Sequence, residues 1–168
     1  ASINDTHSLS DLFTAAITAA NDTIHSEATN QQLKGMGTTL TAALIGTSSA
    51  LVANVGDSRT YHFRTGTLTQ ITQDHSIVAE QVRQGLLPEE ALYTHPRRNV
   101  LSRALGTNPE ISVDLFLLNL EPGDMLLLCS DGLYPVVKHQ GLSIALTQYD
   151  VTEACRVLVS MANENGGP

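Results

Sequence analysis

Leu127-Leu128-Cys129-Ser130-Asp131-Gly132-Leu133 is an apolar run that stops on a carboxylate and a glycine. The run reads as a strand, and strand ends are where a sheet presents side chains to a ligand. A carboxylate pinned at such an end suits a hard divalent cation, which prefers oxygen donors. It suits a turn or helix-capping aspartate better still, and these residues alone favour that plainer reading without closing the other. Cys129 lies inside the run and reads as a small buried hydrophobe.

Upstream, Glu121-Pro122-Gly123-Asp124 is a turn, which makes Met125 to Ser130 a strand of its own. Ile111 to Leu118 begins with strand-like alternation and then becomes fully apolar. Thr38 to Ile45, Ala50 to Val55, Thr60 to Arg64 and Leu68 to Ile71 are four further short strands. They are separated by Gly46-Thr47-Ser48-Ser49, Gly56-Asp57-Ser58-Arg59 and Thr65-Gly66. Successive strands joined by tight turns predict an antiparallel meander.

Helices are predicted on both sides of the strands. Ser8-Leu9-Ser10-Asp11 reads as a helix start. Leu9, Leu12, Phe13, Ala16, Ile17, Ala20 and Ile24 follow at helical spacing, giving a face that should pack on a sheet. Ile77 to Gln84 is a short helix closed by Gly85, and Pro88-Glu89-Glu90-Ala91 opens another. A loose helix runs from Gly141 to Gln148. Another runs from Val151 to Asn163, with Asp150 as its cap and Ala154, Val157, Leu158 and Met161 on one face. The class is α+β, in layers.

The chain has 168 residues and no internal repeat, so one domain is the expectation. Hydrophobic residues make up 42%, enough for a core. A net charge of −8 argues against nucleic acid, because no basic stripe exists to displace counterions. Two cysteines do not make a disulfide framework and fit a reducing compartment. No apolar run is long enough to span a bilayer, and Ala1 to His7 lack the pattern of a signal peptide. The expected location is the cytoplasm.

Four segments together carry more than any one of them. Gly35-Met36-Gly37-Thr38-Thr39, Ala53-Asn54-Val55-Gly56-Asp57-Ser58-Arg59, Asp74-His75-Ser76 and Ser130-Asp131-Gly132 resemble, in order and spacing, the metal-dependent serine/threonine protein phosphatases of the PPM type. The resemblance runs from about Leu33 to Pro168. It implies an α–β–β–α sandwich of two antiparallel sheets flanked by helices, with residues 77–99 as a flap-like insert beside the active site. It implies hydrolysis of phosphoserine and phosphothreonine in proteins by two Mn²⁺ or Mg²⁺ ions, about 3.5–4 Å apart in such centres. The phosphorylated substrates would be products of a serine/threonine kinase. By resemblance Asp131 is a metal ligand. Asp57 is a ligand of a third, weaker ion shared with Asp131, or else a residue that only stabilises its turn. Asn99 stands where some relatives have a serine ligand for that ion. His75 reads as a structural hydrogen-bonding residue rather than a general acid, and Arg59 as half of an ion pair rather than a phosphate contact. Arg97 and Arg98 read as solvated side chains of the insert or, alternatively, as contacts for an acidic phosphopeptide, and Asp74 and Asp124 read as turn residues. Thr38 and Thr39 read as strand residues, and Gly35 and Gly37 as backbone freedom near the site.

The pattern is also incomplete. The family opens with an Arg, an Asn-Glu/Gln-Asp segment and an Asp-Gly-x-Gly-Gly loop, which supply a phosphate-binding Arg and metal-bridging ligands. None of these precedes Ser8. The family closes on Asp-Asn after Gly-Gly, and here Asn165-Gly166-Gly167-Pro168 ends first. The expectation is an internal piece of a phosphatase domain, incomplete in both sheets and inactive by itself. Two alternatives remain at this level: a non-catalytic phosphoprotein-binding or regulatory module, and a phosphatase acting on a sigma-factor antagonist.

Overall fold

The computed structural model describes residues 3–30 and 33–167, and among these six strands form two three-stranded antiparallel sheets between helices. Pro168, the last residue of the Asn165 run, lies outside the described residues, as do Ala1 and Ser2. The chain begins with helix α1 (Ile3–Ala28) and passes through β1 (Leu40–Ile45), β2 (Ser49–Val55), β3 (Arg59–Arg64) and β4 (Thr67–Gln70). Two short helices follow, α2 (Ile77–Arg83) and α3 (Ala91–Thr94). Strands β5 (Asp114–Asn119) and β6 (Met125–Cys129) lead to α4 (Tyr134–Gln148) and α5 (Val151–Glu164).

One sheet has the order β1-β2-β5 and the other β4-β3-β6. The expected single meander is therefore corrected: β2 and β3 are neighbours in sequence but belong to different sheets. Their burial explains why. Val52, Ala53, Asn54 and Val55 of β2 are all buried, so both faces of that strand are covered. Gly56 makes the switch between sheets at φ +104°, a left-handed conformation that excludes most side chains. Hydroxyl pairs then join the sheets face to face, Thr41 to Thr60 at 2.7 Å and Thr39 to Ser58 at 2.8 Å. Thr39 thus precedes the strand it was expected to join, and β1 begins at Leu40. The hairpin around Thr65-Gly66 forms as expected. Both residues have positive φ, 48° and 83°, as a two-residue primed turn requires.

The helices cover the outer faces. Helix α1 packs through Phe13, Ile17 and Ile24 on Leu40, Ala53, Val55 and Leu115. Its buried stripe is rotated from the one the apolar pattern suggested. Leu9 and Leu12 are exposed, and Asn21 is fully buried because it serves the loop beyond it. Asn21 donates to the carbonyls of Asn108 and Pro109 and accepts from the Gly106 N–H. Ser8 sits inside α1 rather than capping it. Helices α4 and α5 cover the second sheet, with Leu142, Ala145, Leu158 and Ala162 against Tyr61, Phe63 and Leu68. The result is the α–β–β–α sandwich.

Helix α4 begins seven residues earlier than the sequence pattern indicated, with Pro135 in its first turn. Its ladder breaks at Lys138, whose φ of 60° and ψ of 162° are not helical. Gly141 lies within α4, not at its start. A Cβ there would stand 2.8 Å from Val137 Cγ1 and 3.1 Å from Met161 Cε, so glycine lets α4 and α5 approach. Asp150 caps α5 as expected, accepting from the N–H groups of Thr152 and Glu153. Strand β5 starts three residues later than predicted, because Ile111 and Val113 pack on the α1 side of the core before pairing begins. Among the described residues, no helix is long and apolar enough to cross a membrane.

Candidate metal site and cleft

The two carboxylates singled out from sequence meet at one end of the second sheet. Antiparallel pairing places Tyr61 opposite Leu127, Thr60 opposite Leu128 and Arg59 opposite Cys129. Continuing that register two residues past the ladder brings Asp57 opposite Asp131. The electrostatics agree with the placement. Burial and the neighbouring charges of Asp131 and Asp74 push the Asp57 carboxyl above its ordinary range, against weaker opposing effects of a backbone hydrogen bond and Arg59. Both aspartates line an open cleft of about 960 Å³.

The floor of the cleft is built on Arg59. Its Nε and Nη2 donate to the two oxygens of Asp74 at 2.9 and 2.6 Å, and its Nη1 donates to the Tyr61 hydroxyl at 3.0 Å. The guanidinium lies 3.6 Å from the ring centroid of Tyr134. Arg59 thus forms the structural ion pair expected from sequence, and it also lines the cleft. Asp74 is correspondingly more than a turn residue: it is buried, and it also accepts from Gln70 at 3.2 Å. Burial pushes the Cys129 thiol, behind this floor, up to about 12.

The walls come from two elements. Leu92, Tyr93, Arg98 and Asn99 belong to the segment 77–99, which is closed at its base by the Ser76–Leu101 bridge and by Ile77 N–H to the Val100 carbonyl at 2.9 Å. Lys138, His139 and Gln140 face them from α4. Arg98 and Asn99 therefore belong to the cleft, and Arg97 does not line it. Gly35 and Gly37 stand away from the cleft. A Cβ at Gly37 would meet the Leu105 carbonyl at 2.9 Å, so that glycine serves the Thr38–Leu105 bridge.

His75 is structural, as expected: Nδ1 accepts from the Gly56 N–H at 3.1 Å, and Nε2 lies 3.0 Å from Asp114 Oδ2. Asp124 is held by Arg64 at 2.8 and 2.5 Å, with Nε2 of His62 at 3.0 Å. It also accepts from the Glu121 N–H, so it is a turn residue that doubles as a cross-link.

The donor chemistry suits a hard cation. Asp57 and Asp131 crowd two carboxylates together, and Mg²⁺ or Mn²⁺ is commonly held by one or two carboxylates with several retained waters. Among the described residues no group of three or more His, Cys, Asp or Glu forms a ready cation site. The fit is therefore to an ion held by this pair, with the Asn99 side chain lining the same cleft.

Residues 2–82 match the protein phosphatase 2C family model. A crystal structure of the PPM Ser-Thr phosphatase MsPP from Mycobacterium smegmatis, in complex with cacodylate, superposes with a TM-score of 0.84 at 37% identity, covering 94% of this chain and 68% of that one. This chain belongs to the PPM, or protein phosphatase 2C, family. The serine/threonine phosphatase stp of Listeria welshimeri is 43% identical over 136 residues, which is 80% of this chain and 54% of that protein. The PPM chain described here thus spans about half the length of that curated relative. The catalytic domain of the serine/threonine protein phosphatase PstP, in complex with two manganese ions, matches with a TM-score of 0.81 at 35% identity, covering 92% of this chain and 64% of that one.

Sequence reasoning missed Tyr61, Tyr134 and Lys138, which shape the cleft, and Asp114, which holds His75. Tyr134 carried a usable signal, being three residues past Asp131 on the same strand exit. Asp114 carried none, since its partner lies 39 positions away.

Proposed function

We propose that the protein containing this chain hydrolyses phosphoserine and phosphothreonine in proteins, using divalent Mn²⁺ or Mg²⁺ held in part by Asp131 and Asp57. The observation that carries this is the closeness of the two aspartates, which repel one another just beyond the last rung of the β3–β6 ladder and line one open cleft, in a chain of the PPM family. The chemistry a divalent centre supplies is polarisation of phosphoryl oxygens and activation of water at neutral pH. Asp131 is anchored by the end of β6. Asp57, on the turn into β3, shares a further ion with it. The Arg59–Asp74 pair fixes the start of β3 and so the spacing of both carboxylates.

The segment 77–99 acts as a flap beside the cleft, to whose lining it contributes Arg98 and Asn99. The two manganese ions of the PstP catalytic domain support a dinuclear centre, to which Asp131 contributes. The substrates are phosphoproteins made by serine/threonine kinases. The free Cys129 and Cys155 fit a reducing compartment such as the cytoplasm. The test is release of phosphate from a phosphoserine peptide by the full gene product. Turnover that requires Mn²⁺ or Mg²⁺ and stops with chelator is expected. Failure to turn over any phosphoserine or phosphothreonine peptide with either metal would overturn the proposal.

A further inference from the structure

Asp57 must be held beside a carboxylate that repels it, and its own turn is short. The residue before it, Gly56, is gripped on both sides of its peptide unit. The Gly56 N–H donates to His75 Nδ1 at 3.1 Å. The Gly56 carbonyl accepts from the His75 N–H at 3.0 Å and from Asn54 Nδ2 at 3.1 Å. His75 is 1% exposed, so water does not compete for these bonds.

An amide N–H can donate only to a ring nitrogen that has no proton. Nδ1 is therefore the acceptor, and the proton sits on Nε2. Nε2 then donates to Asp114 Oδ2 at 3.0 Å, while Asp114 Oδ1 accepts from Arg103 at 2.6 Å. Asp114 is in register with Asn54 across β2 and β5, so both residues that orient this turn come from one rung of the first sheet. The turn has little freedom to relax, because Gly56 already abuts Thr39.

We propose that His75 is a positioning residue for the divalent-cation site. Held by Asp114 and Arg103 with its proton on Nε2, it fixes the Gly56 peptide and thereby aims the Asp57 carboxylate toward Asp131. The inference rests on the reading of Asp57 as a metal ligand, and its test separates the two.

In the full gene product labelled with ¹⁵N-histidine, the His75 ring nitrogens should report an unprotonated Nδ1 and a protonated Nε2. The opposite tautomer, or an imidazolium at neutral pH, overturns the proposal. Calorimetric titration of the metal-free protein with Mn²⁺ then compares Asp57→Asn, His75→Asn and His75→Gln. The Asn side chain can place an oxygen near the Nδ1 position, and Gln cannot. His75→Gln should weaken the ion lost in Asp57→Asn by roughly 10- to 100-fold, as loss of an orienting partner does. His75→Asn, which keeps an acceptor for the Gly56 N–H but loses the hold of Asp114, should lose clearly less than His75→Gln, and on a phosphopeptide kcat should fall in His75→Gln with little change in KM. If Asp57→Asn leaves Mn²⁺ binding unchanged, the metal reading of Asp57 fails. If Asp57→Asn weakens binding but His75→Gln does not, the positioning role alone fails. Should His75→Gln not fold, the wild-type tautomer and the His75→Asn titration still decide. Loss in His75→Asn as large as in Asp57→Asn would overturn the proposal.

Discussion

Arg59 illustrates how one side chain can order the floor of a cleft. Nε and both Nη atoms bond to Asp74 or the Tyr61 hydroxyl, and the guanidinium face rests on Tyr134. Removing the cation leaves Asp74 buried without its partner, which costs about 3–5 kcal/mol for a buried pair. Arg59→Met should therefore lower the unfolding free energy by about that amount in chemical denaturation. The double variant Arg59→Met with Asp74→Leu should recover much of the loss, because no lone charge remains. A single variant as stable as wild type would show that the pair contributes nothing. At this scale the strand-end places of Asp131 and Asp57 and the ion pair of Arg59 were legible from short motifs, while the metal role of the aspartates came only from the family resemblance. The burial of Asp74 was not. Its partner is fifteen residues upstream, and the β3–β4 hairpin brings the two together.

At the scale of elements, the strands and the starts of α2 and α5 were read well, and the starts of α1 and α4 poorly. Alternation and turn residues fixed β3, β4 and β6 to within a residue or two, and the Asp150 cap marked α5. Helix α4 was missed in its first half because Pro135 and the Lys138 break interrupt the helical period there. The switch of sheets at Gly56 was missed for a different reason. A tight turn between two strands looks alike whether or not they pair, and only the packing of helices on both sides distinguishes the cases. Lys138 gives this scale its own prediction. Its φ of 60° and ψ of 162° lie in a region essentially reserved for glycine, at a cost of about 1–3 kcal/mol. Lys138→Gly relieves that strain and gives back about 0.5–1 kcal/mol in chain entropy. The variant should gain roughly 1 kcal/mol in urea denaturation. A loss of stability would mean that the lysine side chain compensates for its backbone.

For the whole molecule, charged bridges tie elements that are distant in sequence. Arg64 in β3 holds Asp124 before β6, and Arg103 and His75 hold Asp114 in β5. Burial pushes the Asp114 carboxyl up, but hydrogen bonds from His75 and Arg103 outweigh it and hold it below its ordinary range. The Arg64 hydrogen bonds hold the Asp124 carboxyl well below that range. A depressed folded-state pKa contributes stability that is complete above the unfolded value, about 3.9, and is lost as pH falls toward the folded value. The urea midpoint should thus drop between about pH 5 and pH 2, and Asp114→Asn should flatten part of that drop. A midpoint independent of pH over this window would contradict the assignment. The central claim, that Asp131 at the end of β6 is a metal ligand of a phosphoprotein phosphatase, has a direct measurement. Phosphate release from a phosphoserine peptide, with Mn²⁺ titrated into the full gene product, should fall by at least about 100-fold in Asp131→Asn, with the fold intact. Hydrolysis at the wild-type rate and with the wild-type Mn²⁺ dependence would contradict the account.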